Sequence, residues 1–359
     1  MSKKKLLACA LAASIAWGFS MDTQAATRSE LAAIQVSSAK DFHYWTANAP
    51  AKEQLIAYVK DVTNKKSKNF IPVEDRIAVF DCDGTLLCET APFYFDWMLY
   101  IHRLQNDPTY TPTAEEKARA AQFKEAIAAH KVTDEMDEFK NQTFPSVFAG
   151  MTPEEYKAYV TDYMNKTYVE GLSNLKTGES FYLPMVEVVS YLNKNDFTVY
   201  IVSGCERETV RALVKDVMDI APNHIIGTDH SFRAMKQGKD VRADFHDFQK
   251  DDKLVRGDKL EDINVKMEKV VKIEREIGKK PVLAFGNSSG DSSMFEYTIT
   301  NNKYKAAAFT LLCDDTTREF GKPAKADKMK KSAEANGWTT ISMRDDFKTI
   351  YGDNVKRTK

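Results

Sequence analysis

The stretch from Arg76 to Leu87, RIAVFDCDGTLL, decides the fold class. Its apolar run Ile77-Ala78-Val79-Phe80 reads as a short strand buried on both faces, the pattern of a parallel sheet covered by helices. The run ends directly on two aspartates spaced i, i+2, followed by Gly84 and Thr85. In an open α/β sheet, ligands gather beyond the carboxyl ends of the strands, so Asp81 and Asp83 arrive where a substrate would sit. The spacing lets the first carboxylate act as a nucleophile while the second handles protons. An Asp-Gly turn alone would satisfy the same local pattern, so the reading rests on the downstream segments of the chain.

Three such segments come in order. FTVYIVSG is a second apolar strand ending in Ser203-Gly204, NVKMEKVVKIEREIG is a lysine-bearing helix, and PVLAFGNSSGD is a strand ending in Asn287 and Asp291. Together with DCDGTL, this ordered set resembles the haloacid dehalogenase-like hydrolases, and within them the phosphoserine-phosphatase-like branch. The resemblance covers residues 76 to about 90 and 181 to 315. The dehalogenase branch lacks a second acid here, and the transport ATPases carry a lysine where this chain has Cys82.

The resemblance implies roles. Asp81 would attack phosphorus and become an aspartyl-phosphate, while Asp83 would protonate the leaving alcohol and then activate water. Ser203 would hydrogen-bond a phosphoryl oxygen, with Gly204 opening backbone N–H groups to it, and Thr85 and Gly84 would help hold the anion. Lys266, at the start of a helix whose apolar face runs through Val270, Ile273 and Ile277, best matches the charge-neutralising lysine; Lys259, Lys269 and Lys272 are alternatives. Mg2+ is the implied cofactor, held by Asp81, the Asp83 backbone carbonyl, Asn287 and Asp291. The last motif departs from the family pattern, because Asn287 stands where an acid is usual.

The 359 residues, 43% hydrophobic and 29% charged, allow a full core and more than one unit. With 51 Lys plus Arg against 52 Asp plus Glu, no strong field is present and nucleic-acid binding is not suggested. The lysines from Lys322 to Lys331 read as a solvated helix face. Lys3-Lys4-Lys5, an apolar run from Leu6 to about Phe19 and Thr23-Gln24-Ala25 form an export-signal pattern, with cleavage expected after Ala25. The apolar run falls short of the roughly 20 residues that cross a bilayer, so an exported protein, periplasmic or secreted, is expected. Cys82, Cys88, Cys205 and Cys313 would remain; they form neither a disulfide framework nor a zinc pattern, and buried thiols are the default.

The expected architecture is a Rossmann-like doubly wound parallel sheet built from residues 26–88 and 181–359, behind the signal segment 1–25. A helical cap over 89–180 is expected to close over the site. IIGTDHSF and DDKLVRG suggest a core strand plus a β-hairpin excursion, and AAAFTLL and WTTISM are further strands joined by the Lys-rich helix. Just after the first motif, Phe93, Tyr94, Phe95, Trp97 and Tyr100 could box a quaternary ammonium or pack the cap onto the core. Tyr44-Trp45 ahead of a helix and the DxD strand also resembles the secreted phosphorylcholine phosphatases. Glu89 falls one position short of the glutamate with which phosphoserine phosphatases meet the substrate amine. The resulting expectation is an exported Mg2+-dependent phosphatase of a small phosphomonoester. A phosphotransferase, or a non-catalytic phospholigand-binding protein suggested by Asn287, are the alternatives, and oligomeric state is left open.

Overall fold

A computed structural model describes residues 25–90, 92–238 and 240–358. The expected signal segment, Ala25 apart, lies outside the described residues. Among the described residues seven strands form one sheet: β1 (Ile77–Phe80), β2 (Thr198–Glu206), β3 (Ile225–Ala234), β4 (Leu254–Asp262), β5 (Leu283–Gly286), β6 (Ala307–Leu312) and β7 (Thr339–Ser342). Their spatial order is β4-β3-β2-β1-β5-β6-β7. All neighbours are parallel except β3 and β4. β1 sits centrally, between β2 and β5, with Phe80 in register with Ile201 on one side and Phe285 on the other.

Eleven α-helices accompany the sheet among the described residues: α1 (Arg28–Ala32), α2 (Pro50–Thr63), α3 (Phe95–Gln105), α4 (Ala114–Ala128), α5 (Asp134–Val147), α6 (Pro153–Lys166), α7 (Leu183–Lys194), α8 (Arg207–Val214), α9 (Met267–Lys272), α10 (Ser292–Ile299) and α11 (Pro323–Asn336). The period-2 alternation of each strand divides the core in two. Ala78 and Phe80 of β1, with Leu283 and Phe285 of β5, join the cluster that includes Leu55, Val59 and Val188. Ile77 and Val79, with Ala284, face the cluster containing Met294, Phe295, Met329 and Trp338. Both faces are therefore covered, which is what the uninterrupted apolar strands required. Phe80, Phe285 and Phe309 stack across β1, β5 and β6 with centroids 4.2 and 5.0 Å apart. This ladder fixes the sheet one residue before Asp81.

The helical insertion consists of α3 to α6. Its entry and exit run side by side: Leu87 bridges Phe181, and Cys88 N–H donates to the Ser180 carbonyl at 2.9 Å. Two of its helices begin on reciprocal capping boxes, Thr113 with Glu116 and Thr152 with Glu155, which satisfy the first N–H groups locally. The core strand and β-hairpin excursion expected between 225 and 257 are present as β3 and the antiparallel β3–β4 pair. β3 starts in parallel pairing with β2, shifts register, and continues beyond the end of β2 to pair antiparallel with the edge strand β4. Its extension carries β4 beneath the cap, where Arg256 N–H donates to Met151 O at 2.8 Å and Gly150 N–H to Arg256 O at 2.9 Å. Cys82, Cys88, Cys205 and Cys313 are all buried thiols. No helix among the described residues is long and apolar enough to cross a membrane.

Candidate active site

The carboxyl ends of β1, β2 and β5 and the start of α9 converge under the cap on a cleft of about 210 Å³. At the end of β1 the Asp81 N–H donates to Phe285 O at 2.8 Å, locking the strand end to β5. The chain then curls around one carbonyl: the N–H groups of Thr85, Leu86 and Leu87 all donate to Cys82 O at 2.8–3.1 Å. Gly84 adopts φ +77°, in the left-handed region. A Cβ there would stand 1.8 Å from Asn287 Nδ2 and 2.7 Å from Glu89 Oε2, so no other residue fits.

Asp81 and Asp83 both face the cleft. Lys269 Nζ donates to Asp81 Oδ1 and to Asp291 Oδ1, each at 2.7 Å, with all three side chains at least nine-tenths buried. Burial, and next the Asp291 charge, push the Asp81 carboxyl up to about 7 against the pull of Lys269. Asp83 is pushed well above the carboxylate range by burial, then by Asp96, Asp81 and Glu89. Its Oδ1 has no hydrogen-bond partner. For Lys269, burial works against the charge, but Asp291 and Asp81 outweigh it and the ammonium is held above its ordinary value.

The lysine expected from sequence was Lys266, and the structure replaces it with Lys269. Lys266 precedes α9 as its N-cap, at φ 54° and ψ −121°, and is exposed. Its N–H donates to Gly290 O at 2.9 Å, so its backbone, not its ammonium, serves the site. One turn later Lys269 lies on the inward face. Lys272, another turn on, is also buried, but it is bound by Gly227 O, Asp229 and Asp262 away from the cleft.

Asp291 also differs from expectation. Its Oδ2 accepts from the N–H groups of Asn287 and Ser288 at 3.0 Å and from Ser288 Oγ at 3.1 Å, while Oδ1 takes Lys269. The carboxylate is thus consumed in holding the β5 loop and the lysine, and is a poor candidate for a metal ligand. Asn287 is 3% exposed, with Nδ2 unpartnered. Rotating its amide exchanges N for O, which offers a hard oxygen beside the first loop.

Ser203 is fully buried. Its Oγ accepts from Cys205 N–H at 3.1 Å, and Gly204 and Cys205 rather than Ser203 form the cleft wall. Thr85 is equally buried, with Oγ1 unpartnered. Both hydroxyls therefore stand behind the surface of the cleft. Asn264 joins them from behind, donating Nδ2–H to Ser203 O at 2.9 Å.

Among the described residues no three carboxylate, imidazole or thiolate side chains are grouped to hold a metal by themselves. The oxygen set still suits Mg2+, which takes one or two carboxylates and completes its shell with carbonyl, water and phosphate oxygens. Asp81, the Asp83 carbonyl and the Asn287 amide would hold it.

The cap contributes Tyr94, Asp96, Trp97, Asp137, Lys140 and Asn141. Lys140 pairs with Asp96, and Trp97 Nε1–H donates to Asp137 at 3.2 Å. None of these carries a sequence motif, and α3 and α5 bring them together from some forty residues apart. Of the five aromatics proposed for an ammonium box, only Tyr94 and Trp97 reach the cleft. Phe95, Trp97 and Tyr100 are at most 4% exposed and pack edge-on or tilted against Tyr163 and Phe123. The segment is mainly the cap's own core. Lys325, one of the lysines expected on a solvated helix face, turns inward and donates to Glu89 Oε1 at 2.5 Å.

The sequence model of the haloacid dehalogenase-like hydrolases matches residues 78–296. No curated protein sequence matches the chain. Among solved structures, a conserved protein of unknown function from Anaerococcus prevotii is similar at 13% identity and TM-score 0.51, over 81% of this chain and 91% of that one. A Bordetella pertussis protein of unknown function matches at 17% identity and TM-score 0.48, over 74% and 97%. A phosphoserine phosphohydrolase-like protein from Francisella tularensis matches at 12% and TM-score 0.39, over 75% and 95%. At these identities the first likeness bears on fold alone.

Proposed function

The chain belongs to the haloacid dehalogenase-like hydrolases, and from that premise we propose that it hydrolyses a small phosphomonoester through an aspartyl-phosphate on Asp81. The observation that carries this reading is the placement of Asp81 and Asp83 at one strand end, in one cleft, with Lys269 tying Asp81 to Asp291.

Lys269 holds one Asp81 oxygen, aiming the other at the cleft. In the first step that free oxygen forms a bond to phosphorus as the ester P–O bond breaks. Asp83, whose carboxyl burial and the surrounding acids push well above the carboxylate range, gives its proton to the departing alkoxide. In the second step Asp83, now a carboxylate, takes a proton from water as the water oxygen bonds to phosphorus and the Asp81–phosphorus bond breaks. Mg2+ on Asp81, the Asp83 carbonyl and Asn287 would offset the negative charge of the phosphoryl group. Gly204 and the cap residues bound the space for the alcohol. Removal of residues 1–25 on export belongs to the same proposal and rests on the sequence pattern.

Phosphate release from an aryl phosphate by the purified chain tests the reading. Release should require added Mg2+, stop with EDTA and vanish in Asp81→Asn. Transfer to an added acceptor alcohol in place of release would mark a phosphotransferase, and binding without turnover a phospholigand-binding protein.

A further inference from the structure

We propose that Glu89 supplies the second carboxylate facing the divalent cation of this site, with Lys325 as the residue that positions it. The inference rests on the metal-dependent phosphatase reading.

The residues at the strand ends leave the cation short of charge. Asp81 shares one oxygen with Lys269, and both Asp291 oxygens are engaged by four donors. Asn287 brings no charge. Glu89, eight residues after the nucleophile, is 2% exposed and lines the same cleft. Its Oε2 and the Asn287 amide crowd one point, the position a Cβ on Gly84 would take, at 2.7 and 1.8 Å. That point adjoins the Asp83 carbonyl, which is bonded directly to the Gly84 nitrogen. A carboxylate oxygen of buried Glu89 and the unpartnered amide nitrogen of buried Asn287 thus converge on one point beside the first loop.

Lys325 explains how the carboxylate is aimed. Its Nζ, from the first turn of α11, donates to Oε1 at 2.5 Å and leaves Oε2 turned to the Gly84 side. A carboxylate buried without a partner would be costly in the absence of a cation, and the lysine offsets that cost. The acid missing from position 287 is in this way replaced from the first loop.

Calorimetric titration of the purified chain with Mg2+, alongside thermal melting to check folding, tests the assignment. Glu89→Gln should weaken Mg2+ binding about tenfold or more, the size typical of groups that tune a metal site. Glu89→Gln combined with Lys325→Met should weaken it as strongly, although the net charge is unchanged and no lysine is left unpaired. Lys325→Met alone should weaken binding as well, because Oε2 is no longer held toward the site, and Asn287→Asp added to Glu89→Gln should restore most of the loss. Wild-type affinity in the folded double variant, or no change with Lys325→Met, would overturn the assignment and leave the pair as a tie between α11 and the catalytic loop. If those variants bind normally while Asp81→Asn does not, the phosphatase reading stands without Glu89. If the wild-type chain itself binds no Mg2+, the metal-dependent reading fails, and the Glu89 role with it.

Discussion

Two buried charge clusters lie within a few residues of one another at the end of β2, and they are built on opposite terms. In the first, Arg256, fully buried on β4, donates to Glu206 Oε1 at 2.8 Å, shares a hydrogen bond with His230 Nδ1 at 2.9 Å, and lies 3.8 Å over the Tyr156 ring. Glu206 Oε2 accepts from both the N–H and the hydroxyl of Thr209. Burial alone would raise the Glu206 carboxyl, but the Arg256 charge outweighs it and holds the group down at about 2. In the second cluster, Asp81, Asp83, Glu89 and Asp291 have fewer cations than charges, and Asp81 and Asp83 are pushed upward; each cluster leaves a polar atom unpartnered, Arg256 Nε in the first and Asp83 Oδ1 in the second. The balanced cluster clamps the cap to the extended hairpin. The unbalanced one is left incomplete, as a site awaiting a cation and a phosphoryl group would be.

The sharpest way to break this contrast is at Asp81. Asp81→Asn should lower turnover of an aryl phosphate by about 10⁴-fold or more, since an amide cannot take the phosphoryl group. The same change should leave the melting temperature unchanged or raised, because a carboxyl pushed upward by burial contributes little stability when ionised. Residual activity above a few percent in a deamidation-free preparation would end the covalent mechanism.

Next in size is the lysine. Lys269→Met should cost about 10²-fold or more in turnover by removing the charge that Asp81 and Asp291 share. Lys266→Met should stay within about twofold of wild type, as expected for an exposed side chain. The reverse outcome would restore the assignment read from sequence.

That lysine shows where legibility ends. β1 and its aspartates were readable because strand, turn and acid pattern lie within twelve consecutive residues. The helix after β4 was readable as well, but its phase was not: Lys266 takes a positive φ ahead of the first turn, so the inward face begins at Lys269. Apolar periodicity fixes which side is buried, not which residue starts the helix. Asp96 and Lys140 were invisible because they meet only when α3 and α5 pack, and Lys325 because its helix carries so many other lysines. The aromatic run was visible, but its burial depended on cap partners such as Phe123 and Tyr163. The core strand with its β-hairpin excursion was readable too; that β3 itself supplies both the core strand and the first arm of the hairpin depends on its pairing with β4.

On the structural side, Arg256→Met should destabilise the fold by about 3–5 kcal/mol, because it leaves Glu206 buried without its counter-ion. Chemical denaturation measures this. Turnover per folded molecule should change far less than in Lys269→Met, since Arg256 does not line the cleft. A loss of turnover with stability intact would mean that the two clusters are one functional unit.

The smallest effect tests whether a raised carboxyl is by itself a mark of function. Glu187 on α7 is 1% exposed and does not line the cleft, and burial pushes it up to about 8 despite N–H donors from His43 at 2.6 Å and Tyr44 at 3.2 Å. Its ordinary value is 4.5, so between those limits the folded chain holds a proton that the unfolded chain releases. Stability from this group is therefore fully present below pH 4.5 and is lost as pH rises through about 8. Glu187→Gln keeps the shape and removes the titration. The wild-type melting temperature, relative to that of Glu187→Gln, should fall by a few degrees between about pH 5 and pH 8.5, while turnover stays the same. A flat difference would mean that the two N–H donors, rather than burial, set the state of Glu187. A pH-dependent difference with unchanged turnover would place Glu187 with Glu206 on the structural side, and would leave the shortage of cations around Asp81, Asp83, Glu89 and Asp291, not the raised carboxyl alone, as the feature that distinguishes the cleft.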